Sequence, residues 1–246
     1  MILANAVGRL SNADLNLAAT LLAGEDRRQL GDYSLLISSG GWISMLDHPD
    51  LFDRLVACKS IEKPSAVLFT YVAVRNSMLG IGLTSTPLSD YLTALLLGFG
   101  NLVGPGADSE RLNPSYNYLV DIVADMPGPR TDEGFTLRVY LGNYSLWLAG
   151  LFPDFVSWRT QRKGAPGFGY YDELGSRGFL VAAEHPVAST YDLTEIYAEL
   201  AASFSKVRVA LNRLSDRVFF RNYSSPDRLM REVADEARFP RVTPLQ

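Results

Sequence analysis

Apolar residues recur at intervals of three and four along most of the chain, and the strict alternation that marks half-buried strands is nearly absent. The clearest run is Leu193, Tyr197, Leu200, Phe204, Val207, Leu211, Leu214 and Val218. Such a spacing is a heptad seam on a long helix over about 191–220. Positions beside it include Ile196, Ala201, Ser203, Ala210 and Ser215 rather than charges, so the pattern predicts a wide packed face inside a bundle, not a two-stranded coiled coil. A second stretch, near 133–152, carries one stripe of Phe135, Val139, Gly142, Leu146 and Ala149 and another of Leu137, Leu141, Tyr144, Leu148 and Leu151. A helix apolar on both sides is expected to be the buried centre of the fold. Gly142 costs up to about 1 kcal/mol relative to Ala within it, which points to a close helix crossing at that position.

Punctuation between these runs places the remaining elements. Ser11 is a cap for a helix over 12–23, and a second helix is predicted over 25–38. Gly40-Gly41 breaks the chain before His48-Pro49-Asp50 introduces a helix over 51–58. Pro64 opens another, through about 79, and Thr86-Pro87 one through 97, closed by Gly98 and Gly100. A loop is expected over 104–114 and a helix from there to about 125. Pro153 is expected to stop the central helix. The basic run Arg159-Thr160-Gln161-Arg162-Lys163 reads as a solvated loop, and GAPGFGYYDELG (164–175) as an elbow leading into a helix from 170 to 184. A phosphate loop would normally follow a strand, and Asp172 and Glu173 already complement the helix dipole here. Ser225-Pro226 starts a final amphipathic helix to 237. The sum is one all-α domain, an irregular bundle of about nine helices over 1–246, with 1–60 expected as a looser N-terminal lobe.

Composition removes several classes of function. The chain has 246 residues, 47% hydrophobic and 20% charged, with a net charge of −4. It is long enough to bury a core without metal or disulfide staples, and the negative balance argues against a general nucleic-acid surface. Cys58 is the single cysteine, so neither an intrachain disulfide nor a cysteine-based zinc site is available. The most membrane-like segment, SAVLFTYVAVRNSMLGIGL, carries Arg75 and Asn76 near its middle, which disfavours a membrane span. No charged region precedes an apolar stretch at the N-terminus, and a cytoplasmic location is expected.

Candidate chemistry is sparse. G-x-S-x-G, G-x-x-x-x-G-K-[ST], H-E-x-x-H and E-x-x-H patterns are all missing, and His48 and His185 are the two histidines. No catalytic residue, metal site or cofactor is expected. Arg75-Asn76 interrupts an otherwise apolar helix, and Asn143 sits beside Gly142 in the helix read as most buried. A buried charge needs a partner, so Arg75 either pairs internally with a carboxylate or faces a cavity and takes an anionic ligand. Trp147 and the tyrosines at 140, 144, 170 and 171 are either plain core or pocket lining. Arg213 and Asp216, three apart on one helix, can pair locally or bridge to another helix.

The segments LGNYSLWLAGLFPD (141–154), GYYDELGSRGF (169–179) with AAEH (182–185), and LNRLSDRVFF (211–220) resemble a family of bacterial helical proteins with no established activity. The resemblance covers mainly 135–220. It implies a bacterial, soluble, cytoplasmic protein and supplies no catalytic residue. With no recognised catalytic constellation, the expected function is a non-catalytic helical protein that binds a protein partner or itself, as a homodimer. The alternative is a binding protein or enzyme for a small anionic or amphipathic ligand, with a pocket lined by Arg75, Asn76, Asn143, Trp147, Tyr170, Tyr171 and His185. A third expectation is membrane-surface or nucleic-acid contact through the basic run at 159–163.

Overall fold

The computed structural model describes residues 2–58, 63–103, 123–124, 126–222 and 225–242. Among these residues every regular element is helical, with twelve α-helices rather than about nine. They are α1 (Asn12–Ala23), α2 (Arg27–Ser39), α3 (Ile43–Leu46), α4 (Leu51–Ala57), α5 (Ala66–Leu79) and α6 (Thr86–Val103) in the first half. The second half holds α7 (Asp132–Leu151), α8 (Pro153–Lys163), α9 (Phe168–Ala183), α10 (Pro186–Thr190), α11 (Thr194–Val218) and α12 (Pro226–Arg238). The loop expected over 104–114 and the helix expected after it lie outside the described residues, apart from 123–124, which are helical.

Local chemistry explains most of the boundaries. Ser11 and Asp14 form a reciprocal capping box: the Ser11 hydroxyl accepts from the Asp14 N–H at 3.1 Å, and the Asp14 carboxylate accepts from the Ser11 N–H at 3.0 Å. The other Asp14 oxygen accepts from the N–H of Ser65, itself the cap of α5, so one side chain ties two helix starts together. At the far end of α1, the Arg54 guanidinium donates to the carbonyls of Leu21 and Leu22, which have no partner within their own helix. α2 contributes no buried residue and lies on the outside of the N-terminal region.

Three boundaries differ from the sequence expectation. α6 runs through Gly98 and Gly100 to Val103. Its buried stripe of Leu88, Leu92, Leu95 and Phe99 continues past Gly98, and burying a phenyl ring outweighs the roughly 1 kcal/mol a helical glycine costs. Pro153 does stop α7, whose last residue is Leu151, but it also opens a new helix, occupying the first turn of α8, where its missing N–H is tolerated. The basic run at 159–163 is therefore the last turn of a helix, not a loop, and its cations favour the negative end of the dipole. α9 starts at Phe168, two residues earlier than expected, with Gly164 at φ +61° closing α8. The elbow between them is pinned by the Thr160 hydroxyl, which donates to the Pro166 carbonyl at 3.1 Å.

α7 has buried residues on all sides, and α9 and α11 pack closely against it and against each other. The seam of α11 is buried from Leu193 to Leu214 against helices of the same chain. At the α7–α9 crossing, a Cβ on Gly178 would stand 2.8 Å from the Arg138 carbonyl oxygen, and one on Gly142 would stand 2.8 Å from the Phe179 ring. Only glycine lets these two backbones come so close.

Candidate functional site

The restart at Pro153 sets a problem that α11 solves. Pro153 cannot donate to the carbonyl four residues back, and a helix leaves its last carbonyls without partners of its own, so those of α7 need other donors. Asn212, fully buried, donates through Nδ2 to Ala149 O at 2.7 Å and Gly150 O at 2.8 Å. The Ser215 hydroxyl donates to Leu151 O at 2.6 Å. Asn212 Oδ1 accepts from Arg208, whose guanidinium is held by Asp172 at 2.7 and 3.2 Å and lies 4.6 Å from the Phe168 ring. One polar stretch of α11 thus welds the α7–α8 break to the start of α9.

The next turn of α11 faces α12. Asp216, buried, accepts from Arg231 at 2.9 and 3.0 Å and lies 3.5 Å from Arg228. Arg228 also donates to the carbonyls of Phe220 and Asp216 and pairs with Glu232 at 2.9 Å. Arg231 reaches Asp154, at the start of α8, at 3.4 Å. Arg213 does not pair with Asp216 along its own helix; it donates to the carbonyls of Asp235 and Phe239 and pairs with Glu236 at 3.0 Å. Burial raises the Asp216 carboxyl above its ordinary range, an effect that the Arg231 and Arg228 charges only partly offset. Burial likewise raises Asp235 and lowers Arg213.

α12 therefore docks on the body through its charged side. The opposite side is apolar and turned outward: Leu229 is 61% exposed, Met230 69% and Val233 59%. Ordinary surface helices have the reverse arrangement. Between the α12 arginines, the end of α11, α4 and the end of α5 lies a cleft of about 680 Å³. Residues after α12 cross its edge, where the Val242 N–H donates to Gly80 O at 2.8 Å.

Of the side chains expected to line one pocket, Trp147, Tyr170 and Tyr171 pack in one small hydrophobic cluster, while Arg75, Asn143 and His185 occupy separate places. Arg75 is buried and pairs with Asp47 through two hydrogen bonds of 2.7 and 2.8 Å, with a third donated to Thr84 O. Asn143 accepts from the Tyr91 hydroxyl at 2.8 Å. Trp147 stacks on Phe99 and meets Phe152 edge-on. Tyr170 lies edge-on to Tyr171, and both belong to a small cluster with Leu141, Leu148 and Val156. His185 caps α10: its Nδ1 accepts from the Val187 N–H, and its ring stacks on Phe135 with centroids 4.9 Å apart. Asn76 alone of the set lines the cleft. The cleft arginines had a sequence signal that composition averaged away: from Val207 to the end of the chain every cation is arginine and none is lysine.

Among the described residues no three His, Cys, Asp or Glu side chains gather as a metal site, and no helix is long and apolar enough to cross a membrane. No protein-family model, curated protein or solved structure matches the chain.

Proposed function

We propose that the protein is a non-catalytic association module and that the outward face of α12 pairs with α12 of a second copy. The observation that carries this is the orientation of α12, with arginines inward and Leu229, Met230 and Val233 in solvent. Ala234 and Ala237 extend the same apolar arc. Removing it from water gives a second copy its driving force.

Charge favours a second copy over an unrelated partner. Asp227 and Arg238 stand about three turns apart on the same edge of the apolar arc, and neither makes an ion pair among the described residues. In an antiparallel two-fold pair, like edges meet, so Asp227 of one copy faces Arg238 of the other, twice. The surface is self-complementary.

Sedimentation velocity across a hundredfold concentration range tests this. A reversible dimer is expected for the wild type and a monomer for Leu229→Asp/Val233→Asp. Asp227→Arg alone should weaken the dimer, and Asp227→Arg/Arg238→Asp should restore it. A wild type that stays monomeric at the highest concentration, or a dimer indifferent to all of these changes, overturns the proposal.

A further inference from the structure

The cleft behind α12 has a different character from its outer face, and it stands independently of the dimer. Six arginines line it: Arg213, Arg217, Arg221, Arg228, Arg231 and Arg241. Its inner part is internally compensated, since Arg228 and Arg231 share Asp216 while Arg213 takes Glu236. The surplus lies at the mouth. Arg221 makes no ion pair among the described residues, and Arg241, itself exposed, reaches only Glu236, which Arg213 already engages. Arg217 pairs with Asp53, but the two side chains are 48% and 65% exposed. Water competes strongly for such a pair, so Asp53 holds it weakly.

These three cations come from the end of α11, the turn after it and the segment beyond α12, and the fold sets them around one opening. Arg217 is oriented by the Phe52 ring, 4.6 Å from its guanidinium carbon. Arg241 is placed from both sides: its own N–H donates to Glu236 at 3.1 Å, and the N–H of the next residue, Val242, donates to Gly80 O. The Arg217 pKa is lowered, by burial first and then by repulsion from Arg241 and Arg221, so Arg217 lies within the fields of the other two. Among the described residues three atoms of the cleft lining, Arg213 Nη1, Arg231 Nε and Asp235 Oδ2, are buried without a hydrogen-bond partner. The Arg231 side chain is 7% exposed.

We infer that this cleft is a binding site for a small, multiply charged phosphate anion, seated between Arg217, Arg221 and Arg241. Guanidinium forks match phosphate oxygens two at a time, which lysine cannot do. A volume of about 680 Å³ falls within the range of small-molecule sites and exceeds what one phosphate fills. Three guanidinium forks in one cleft lining offer more donors than a single phosphate uses, so a phosphoanhydride is the preferred class. An incoming anion displaces Asp53 from Arg217 and leaves the inner ion pairs, and hence the docking of α12, intact.

Isothermal titration with inorganic pyrophosphate, inorganic phosphate and ATP, at low and at moderate ionic strength, tests the inference. Pyrophosphate should bind saturably with one equivalent per chain and at least tenfold more tightly than phosphate. ATP binding more tightly than pyrophosphate would identify a nucleotide as the source of the chain; equal affinity would identify the phosphate chain alone. Arg221→Gln and Arg241→Gln replace exposed side chains, and unchanged unfolding midpoints would show that both variants fold. Each should weaken pyrophosphate at least tenfold, and the double variant should abolish binding. Wild-type affinity in these folded variants, or heat that never saturates and vanishes with salt, overturns the inference. The titrations are repeated on Leu229→Asp/Val233→Asp, so failure of the dimer and failure of this site read out separately.

Discussion

Asn212 is the residue whose loss should cost the fold most per atom removed. Truncating it to alanine deletes one side-chain amide that serves two buried carbonyls, Ala149 O and Gly150 O, at the break between α7 and α8. Each carbonyl left without a donor costs about 1–3 kcal/mol, so the pair costs about 2–6 kcal/mol. The vacated space adds to this, because Asn212 has no exposed surface through which water could take its place. Arg208 also loses a neutral partner but keeps Asp172. For a chain of this size, about 1 kcal/mol corresponds to roughly 2–4 °C in Tm, so the variant should melt at least about 5 °C lower. Asn212→Asp is the sharper probe: it preserves shape and the Arg208 contact but offers no N–H, and it should be at least as damaging. Ser215→Ala removes a single donor, to Leu151 O, and should cost about 1–3 kcal/mol. Urea unfolding followed by circular dichroism measures all three. If Asn212→Ala falls within about 0.5 kcal/mol of wild type at an unchanged m value, the view that α11 satisfies the broken end of α7 is wrong.

Three further outcomes are expected from the same geometry. Asp47→Ala strands Arg75, which is 4% exposed, and should destabilise by about 3 kcal/mol, the low end for a buried pair because Asp47 keeps some solvent contact; a chemical-denaturation cycle with Arg75→Met reads it. Gly178→Ala drives a Cβ to 2.8 Å from the Arg138 carbonyl oxygen, and the backbone shift should cost about 1–3 kcal/mol; an unchanged unfolding midpoint would refute the close crossing. Burial raises the Asp90 pKa above 3.8 despite the hydrogen bond it accepts from the Val7 N–H at 2.7 Å. The folded state therefore holds the proton more tightly, and the contribution of this group is full below 3.8 and lost as pH rises through the raised value. Asp90→Asn should gain stability relative to wild type across that window, and a difference that stays flat with pH would count against it.

The helical class, the seam of α11 and the all-round burial near α7 were legible in the sequence because periodicity reports which side of a helix is apolar. So was the Ser11 cap, a contact between residues three apart. Local chemistry misjudged Gly98, and it placed the stop at Pro153 without the helix that restarts there, because glycine and proline weaken or interrupt a helix but do not dictate the path of the chain beyond them. α6 continues because Phe99 has a core to enter, and α8 restarts because Asn212 and Ser215, about 60 residues away in sequence, take up the free carbonyls. The same limit governs the candidate site. The strong amphipathicity of 226–237 is plain in the chain, but it suggests an apolar face turned inward. Whether that face or the arginine face meets the body depends on where Asp216 and Asp154 stand when the bundle closes. A single segment specifies how polar each of its faces is; only the tertiary structure decides which face finds a partner, because that choice rests on charges brought together from distant parts of the chain.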